Sequence, residues 1–376
     1  MTFYNTYKYS LSLYIYIYKM FGRRAREINK TLYYDNKVNY FLSPHEGVVP
    51  ALVPDSDQDI PVTNVMYIDF LRTDSYTETG SRKCPFKTLS AAYNLAALTA
   101  SDSNPKILSI LSGNTVPENV TFIKGHIFLI GENSSGTHAP IVFTGSLTFA
   151  GNAASISSNH FAVTGIMLMG VSGTDVLTFS GTNPQRLFIR DVWITANGSC
   201  HGITMVNTNS SSVLHTNDCK FSHNGSGHYH CINITKGTAN IDTSESSGAT
   251  VGIIGILNGS CNITGSDIQS AGSYAIDIYD GGVLSIANSK ITTTAANSIG
   301  ISITSATAIA VVGNVSFSVP ASATTGRAIS GVTSNVGYGL YYGPMYFLPD
   351  GLGGTTNSKI DTVLRRTVIS TTITLV

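Results

Sequence analysis

Charged side chains are scarce. Lys+Arg and Asp+Glu number 22 each, 12% of the chain, about half of the roughly 25% usual for a globular domain. The surface must therefore be built largely from Ser, Thr, Asn and Gly, which excludes a helix-rich body coated with Glu and Lys. A formal net charge of zero argues against nucleic-acid binding, which needs Lys and Arg to displace phosphate counterions. Cysteine is thin as well. Cys84, Cys200, Cys219, Cys231 and Cys261 are too few and too scattered for a disulfide framework and are read as buried or stacked free thiols. No apolar run approaches the ~18 to 20 residues of a membrane span. The best candidate, Leu11 to Tyr18, is followed rather than preceded by basic residues (Lys19, Arg23, Arg24 and Arg26), the reverse of a secretory signal, so no targeting route is readable.

What charge there is lies unevenly. Residues 1–90 hold 20 of the 44 charged residues, and the remaining 24 are spread over 286 positions. Residues 1–19 are crowded with Tyr, and Met20 then opens a more ordinary basic stretch, so Met20 is read as the native start. Residues 42–63 hold Pro44, Pro50, Pro54 and Pro61 with Asp55, Asp57 and Asp59, a composition that suits an extended linker. Between Lys87 and Leu98 the apolar period becomes helical. Leu89, Ala92, Tyr93 and Ala96 share one face, and Pro85 and Thr88 are start signals. After Pro105 the chain reads as short strands bounded by Gly, Asn or Ser, among them 107–111, 120–122, 127–130, 141–143 and 147–149.

A repeat runs through this region. Phe161 to Leu168 aligns with Leu187 to Ile194 at a shift of 26 residues, and Val163, Ile189, Leu214, Ile241, Ile263, Ile286 and Val311 continue as anchors at a mean spacing of about 25. Several short strands per repeat, separated by tight turns, are what a parallel β-helix requires. Each coil adds a rung at the ~4.8 Å strand spacing, and none buries its apolar side alone. Uncharged surfaces follow, because like charges stacked on successive rungs repel. Leucine-rich repeats would show fixed Leu and Asn positions, and propeller blades need a period of about 40 or more.

Tyr67-Ile-Asp69, Thr79-Gly-Ser81 and Cys84-Pro-Phe-Lys-Thr-Leu-Ser-Ala-Ala92, followed by Ile107 to Gly113, Pro117 to Phe122 and Ile127 to Gly131, resemble the opening of pectin-lyase-like right-handed β-helices. The resemblance covers about residues 65–320 and implies the fold far more than any activity. Asp191-Val-Trp-Ile194 is similar to a pectate-lyase sequence, but Thr195 and Ala196 stand where that family has Asp and His. Polygalacturonase motifs are also missing, since Asn217-Asp218 and Gly227-His228-Tyr229 depart from them, and pectinesterase motifs are absent. What remains resembles the β-helical surface and tail-spike proteins of viruses and phages. That resemblance implies an N-terminal arm that docks on other virion proteins, a C-terminal segment that covers the open strand edge, and a homotrimer.

The expected architecture is an all-β, right-handed, single-stranded parallel β-helix with an N-terminal capping helix and a strand-rich C-terminal segment. Its parts are an arm and linker (1–64), a lead-in strand and capping helix (65–105), the β-helix (106–319) and a C-terminal association segment (320–376). Candidate site residues are few. Asp267, Asp277 and Asp280 are weighed as carboxylates for glycosidic chemistry, which needs two of them ~5 to 9 Å apart. Tyr274 and Tyr279 are weighed for stacking on sugars. His223, His228 and His230 belong to a cluster holding five of the nine histidines within residues 200–231 and are weighed as metal ligands, with His228 and His230 expected on one strand face. Stacked turn and surface histidines are the simpler reading, so neither a cofactor nor a metal is expected. Ten Asn-x-Ser/Thr sequons occur, as so Asn-, Ser- and Thr-rich a chain produces by chance. Arg23, Arg24, Arg26 and Lys30 are read as an arm that is either solvated or docked on an acidic partner. The function expected is a virion fibre or spike with a rigid shaft for attachment or assembly, which binds a partner protein or a host glycan. The alternatives are a polysaccharide-degrading enzyme on the same fold and a cellular adhesin.

Overall fold

The computed structural model describes residues 64–318, apart from 112, 133–140, 152–158, 171–172, 208, 226–227, 249–252, 296–297 and 306, together with strands between 32 and 52 and between 327 and 375. Met20, Arg23, Arg24, Arg26 and Lys30 lie outside the described residues. The chain divides into two units, Met1–Asp57 and Gln58–Val376. In the first, Leu32–Asp35, Val38–Ser43 and Gly47–Leu52 form a three-stranded antiparallel sheet. This corrects the extended linker expected from residue 42. The strands are joined by two and three residues, the loop lengths of hairpins, and Pro50 is tolerated because Gly47–Leu52 is an edge strand.

In the second unit, residues of the first face alternate between buried and less buried along each short strand, and successive strands pair in parallel from one coil to the next. The result is the all-β, right-handed parallel β-helix that the repeat implied. Three faces recur in each coil. The first face includes Asn159–Thr164, Gln185–Arg190, Val213–Asn217, Gly259–Thr264, Val283–Ala287 and Ile309–Gly313. The second includes Trp193–Asn197, Lys220–Asn224, Glu245–Gly248, Asp267–Ser270 and Lys290–Thr293. The third includes Leu177–Phe179, Ile203–Val206, Ile254–Ile256, Tyr274–Ile278 and Ile299–Ile303. One long strand, Ile232–Asp242, runs from the third face onto the first. It bends at Gly237, whose φ of 98° favours glycine and where a Cβ would lie 2.3 Å from Met205 Cε.

The core is a set of columns. On the first face Val163, Ile189, Thr216, Ile241, Ile263, Ile286 and Val312 stack in register, all buried. Five of the seven anchors expected from the repeat stand in this column. Leu214 belongs to the neighbouring column with Leu187 and Ala239, and its place is taken by the polar Thr216. Val311 faces outward, 42% exposed, and Val312 turns in. Each fully buried Ile or Leu contributes about 1.5 to 3 kcal/mol, so the columns supply the driving force that a single coil lacks.

The corner between the first and second faces sets the register. Gly165, Asp191, Asp218, Thr243, Gly265, Asn288 and Asn314 occupy it in successive coils, all with φ between 44° and 68°. This is left-handed backbone, favoured by Gly, Asn and Asp. Thr243 is the β-branched exception, held by Asn217 Nδ2 donating to its Oγ1 and by its own donation to Asp218 Oδ1 at 3.0 Å. The next residue in three consecutive coils is a buried serine. Ser244, Ser266 and Ser289 each donate to the carbonyl two residues back. Each also accepts a backbone N–H from the preceding coil, those of Cys219, Ser244 and Ser266 respectively.

The helix is Leu89–Thr99. Thr88 caps it by accepting from the Ala91 N–H, and Leu89, Ala92, Tyr93 and Ala96 are its buried residues, the face expected from the sequence. Tyr93 sits edge-on to Phe122, which stacks on Phe149, at 4.8 Å in both cases, and its hydroxyl accepts from the Ile123 and Lys124 N–H groups. Beyond the boundary expected at 319, Arg327–Gly331, Gly339–Tyr342 and Met345–Phe347 extend the third, first and second faces in parallel register. The strand pairing of the β-helix therefore runs on into the segment expected to be a strand-rich cap or association piece.

Thr243→Asn is expected to raise stability by about 1 kcal/mol, since asparagine relieves the left-handed strain of a β-branched residue and keeps an amide at the corner. Ser266→Ala is expected to lower it by about 1 to 3 kcal/mol, because the Ser244 N–H is left buried without its partner. Urea unfolding of both variants checks the two signs.

Candidate functional site

The outer side of the third face carries a row of polar groups, several of them buried. Thr204, Asn233, Gly255, Asp277 and Ser302 follow one another in register across five coils. At Gly255 the missing side chain makes room for the His230 imidazole, and a Cβ there would lie 2.8 Å from ring atoms Cε1 and Nε2. Asp175, from the turn before Leu177–Phe179, holds the upper part of the patch. Its Oδ1 accepts from the His201 N–H at 2.8 Å and its Oδ2 from the Thr204 hydroxyl at 2.6 Å.

His201 Nδ1 accepts from the His230 N–H at 2.9 Å, so the neutral ring carries its proton on Nε2. The His201 and His230 rings lie near-parallel with centroids 5.6 Å apart, and Tyr229 tilts against His201 at 5.4 Å. Burial lowers the pKa of His201, against the opposing pull of Asp175. Burial, with His201, His228 and His223 adding to it, pushes His230 down to about 3. Asp277 is 2% exposed. Its pKa is raised by burial, opposed by hydrogen bonds from Tyr279 and Ser302. Tyr279 is raised as well, by burial and then by Asp277. The patch thus joins a carboxyl biased toward its protonated form to imidazoles biased toward neutrality, a set suited to donating to and accepting from uncharged hydroxyl groups.

The candidates from sequence divide. Asp277 and Tyr279 come together, and His228 and Tyr274 are near enough to bias them electrostatically. Asp267 lies on the second face, 3.9 Å from Lys290, so it forms no carboxylate pair with Asp277. Asp280 lies in the turn after Tyr274–Ile278, where its carbonyl accepts from Asn258. His223 points into the coil, fully buried, with Nε2 2.8 Å from the Cys200 carbonyl. His228 and His230 do not share a strand face, because the strand begins at Ile232. His228 is exposed in the preceding connection and His230 is buried. Asp175, Asn233, Gly255 and Ser302 escaped the sequence reading, although the spacing of 29 residues from Thr204 to Asn233 follows the repeat. Four of the five cysteines are buried and all are free. Burial pushes the Cys219 and Cys231 thiols up to about 12, which leaves them inert.

A second surface runs along the outer side of the second face. Trp193, Lys220, Glu245, Asp267 and Lys290 occupy successive rungs. Lys220 Nζ lies 5.3 Å from the Trp193 ring centroid and 3.6 Å from Glu245. Beside Asp267 and Lys290 an open polar trough of about 420 Å³ follows the corner, lined also by Asn288, Asn314 and Ser316. These exposed ion pairs add little stability, but they place a flat aromatic ring and alternating charges on a rigid scaffold.

In the unfolded chain His230 titrates near 6.5, and in the folded chain near 3. The unfolded state therefore binds the extra proton inside that window, and stability present above pH 6.5 is lost as pH falls toward 3, by up to about 1.4 kcal/mol per pH unit. Asp277 acts with the opposite sign, its raised pKa favouring the native state at low pH, with that contribution lost as pH rises through the folded value. His230→Asn is expected to lose less stability than the native chain between pH 7 and pH 5, by about 2 kcal/mol. Urea unfolding at the two pH values checks this, and equal losses would refute it.

No family model matches this chain, and no curated protein matches it. Among solved structures, pectin methylesterase PemA from Erwinia chrysanthemi is similar at 13% identity and a TM-score of 0.31, over 79% of this chain and 92% of that one.

Proposed function

We propose that this chain is a structural or surface protein of a virion, a fibre or spike whose β-helix is a rigid shaft for attachment or assembly. The observation that carries the reading is the in-register stacking of buried columns from coil to coil, which makes a stiff body of hydroxyl- and amide-rich faces. Such faces suit an uncharged ligand. The Trp193 ring and the adjoining polar trough offer a host glycan a stacking surface with hydrogen-bonding groups beside it. In this reading the N-terminal region docks on other virion proteins, and the shaft associates as a homotrimer.

Light scattering of the purified chain is expected to give a molar mass near three times 39.9 kDa. A monomer would remove the support for a spike. A second reading, a polysaccharide-degrading enzyme, is favoured by one observation, the buried Asp277 carboxyl with its raised pKa beside Tyr279 and Ser302. It requires release of oligosaccharides from a polysaccharide panel and loss of that release in Asp277→Asn. No cleavage by the native chain would dismiss it.

A further inference from the structure

Three side chains able to bind a metal converge where the capping helix hands the chain to the first face, away from both surfaces described above. Asp102 lies in the turn after the helix, His126 at the corner leading into Ile127–Gly131, and His160 on Asn159–Thr164. One ligand atom from each lies within 4.8 Å of the others. His126 Nδ1 is 3.4 Å from Asp102 Oδ1, and the two imidazole centroids are 5.5 Å apart with the rings tilted by 58°.

The backbone holds this arrangement in place. His126 donates its N–H to the His160 carbonyl at 2.6 Å and accepts from the Lys106 N–H at 2.9 Å. The two histidines therefore sit on adjoining rungs, as the pairing of Ile127 with Phe161 also requires. His126 is 4% exposed and has a φ of 60°. Asp102, with its side chain 85% exposed, is free to swing. Burial, with His126 and Arg186 adding to it, keeps His160 toward its neutral form against the pull of Asp102, and neutral imidazole is the form that ligates metal.

Two imidazole nitrogens and a carboxylate oxygen are a donor set for a borderline divalent ion. Bond lengths of about 2.0 to 2.2 Å in a tetrahedral site put ligand atoms about 3.4 Å apart, the separation already present between His126 Nδ1 and Asp102 Oδ1, so the remaining spread of at most 4.8 Å closes by small side-chain rotations. We propose that Asp102, His126 and His160 bind one divalent ion of the Zn²⁺ type, with water in the fourth position. The ion fastens the turn behind the capping helix to two rungs of the first face.

The test uses the full chain, stripped with a chelator and titrated with ZnCl₂ in a calorimeter and with CoCl₂ in a spectrophotometer. The native chain is expected to bind one Zn²⁺, to melt at a higher temperature with Zn²⁺ than without, and to give the intense visible absorption of tetrahedral Co²⁺. Asp102→Asn and His160→Gln are each expected to weaken Zn²⁺ binding at least about tenfold and to lose that absorption. Asp102→Asn serves as the folding control, because the exposed carboxylate is expected to leave the metal-free melting temperature unchanged. Absence of saturable binding would overturn the proposal. So would native-like affinity in both variants, which would move the ion to another group such as His201 and His228.

Discussion

Everything in the β-helical unit depends on the parallel hydrogen-bond pairing of each strand with its counterpart one coil away. That pairing brings residues one coil apart into register, 22 positions from Ile241 to Ile263, 27 from Leu187 to Leu214 and 34 from Ile127 to Phe161. Any side chain that suits one coil must then suit the coil above and below it. The left-handed corner from Gly165 to Asn314 is the device that keeps the register. One backbone conformation recurs at this corner in seven successive coils, from Gly165 to Asn314. The buried serines beside it serve the same end in three consecutive coils, each satisfying an N–H that the bend leaves unpaired.

The fold was legible because two periods are written in apolar residues. Leu89, Ala92, Tyr93 and Ala96 mark a helical face, and the recurrence of Val, Ile and Leu at about 25 residues marks the coils. Hydrophobicity misled where chemistry and position part company. Thr216 is polar yet buried in the Ile column, so Leu214 was taken in its place. Val311 is apolar yet faces outward, and a one-residue error turns a strand position over.

The candidate site was less legible because a surface patch on a β-helix is assembled across the chain. Asp175, His201, His230, Asp277 and Ser302 come from different coils, and outward residues are free of the apolar constraint that reveals the core. Asp277 stood out as a carboxylate in a chain poor in charge, but its burial was invisible, since its neighbours on the face, Gly255 and Ser302, come from other coils. The convergence of Asp102, His126 and His160 was hidden still more completely. The helix and an unusually long coil break the period there, so spacing carries no signal.

The strand Val65–Ile68 and the helix that lies against Phe122 through Tyr93 are also the first parts of this unit to leave the ribosome. Every later coil makes its main contacts with the one completed just before it, so no strand waits for residues still to be synthesised. Assembly is then vectorial, with the finished end acting as a template and the newest strand edge as its growing tip. A chain organised this way keeps its sequence separations short, the property that favours rapid folding, and exposes only one unsatisfied edge at a time during translation.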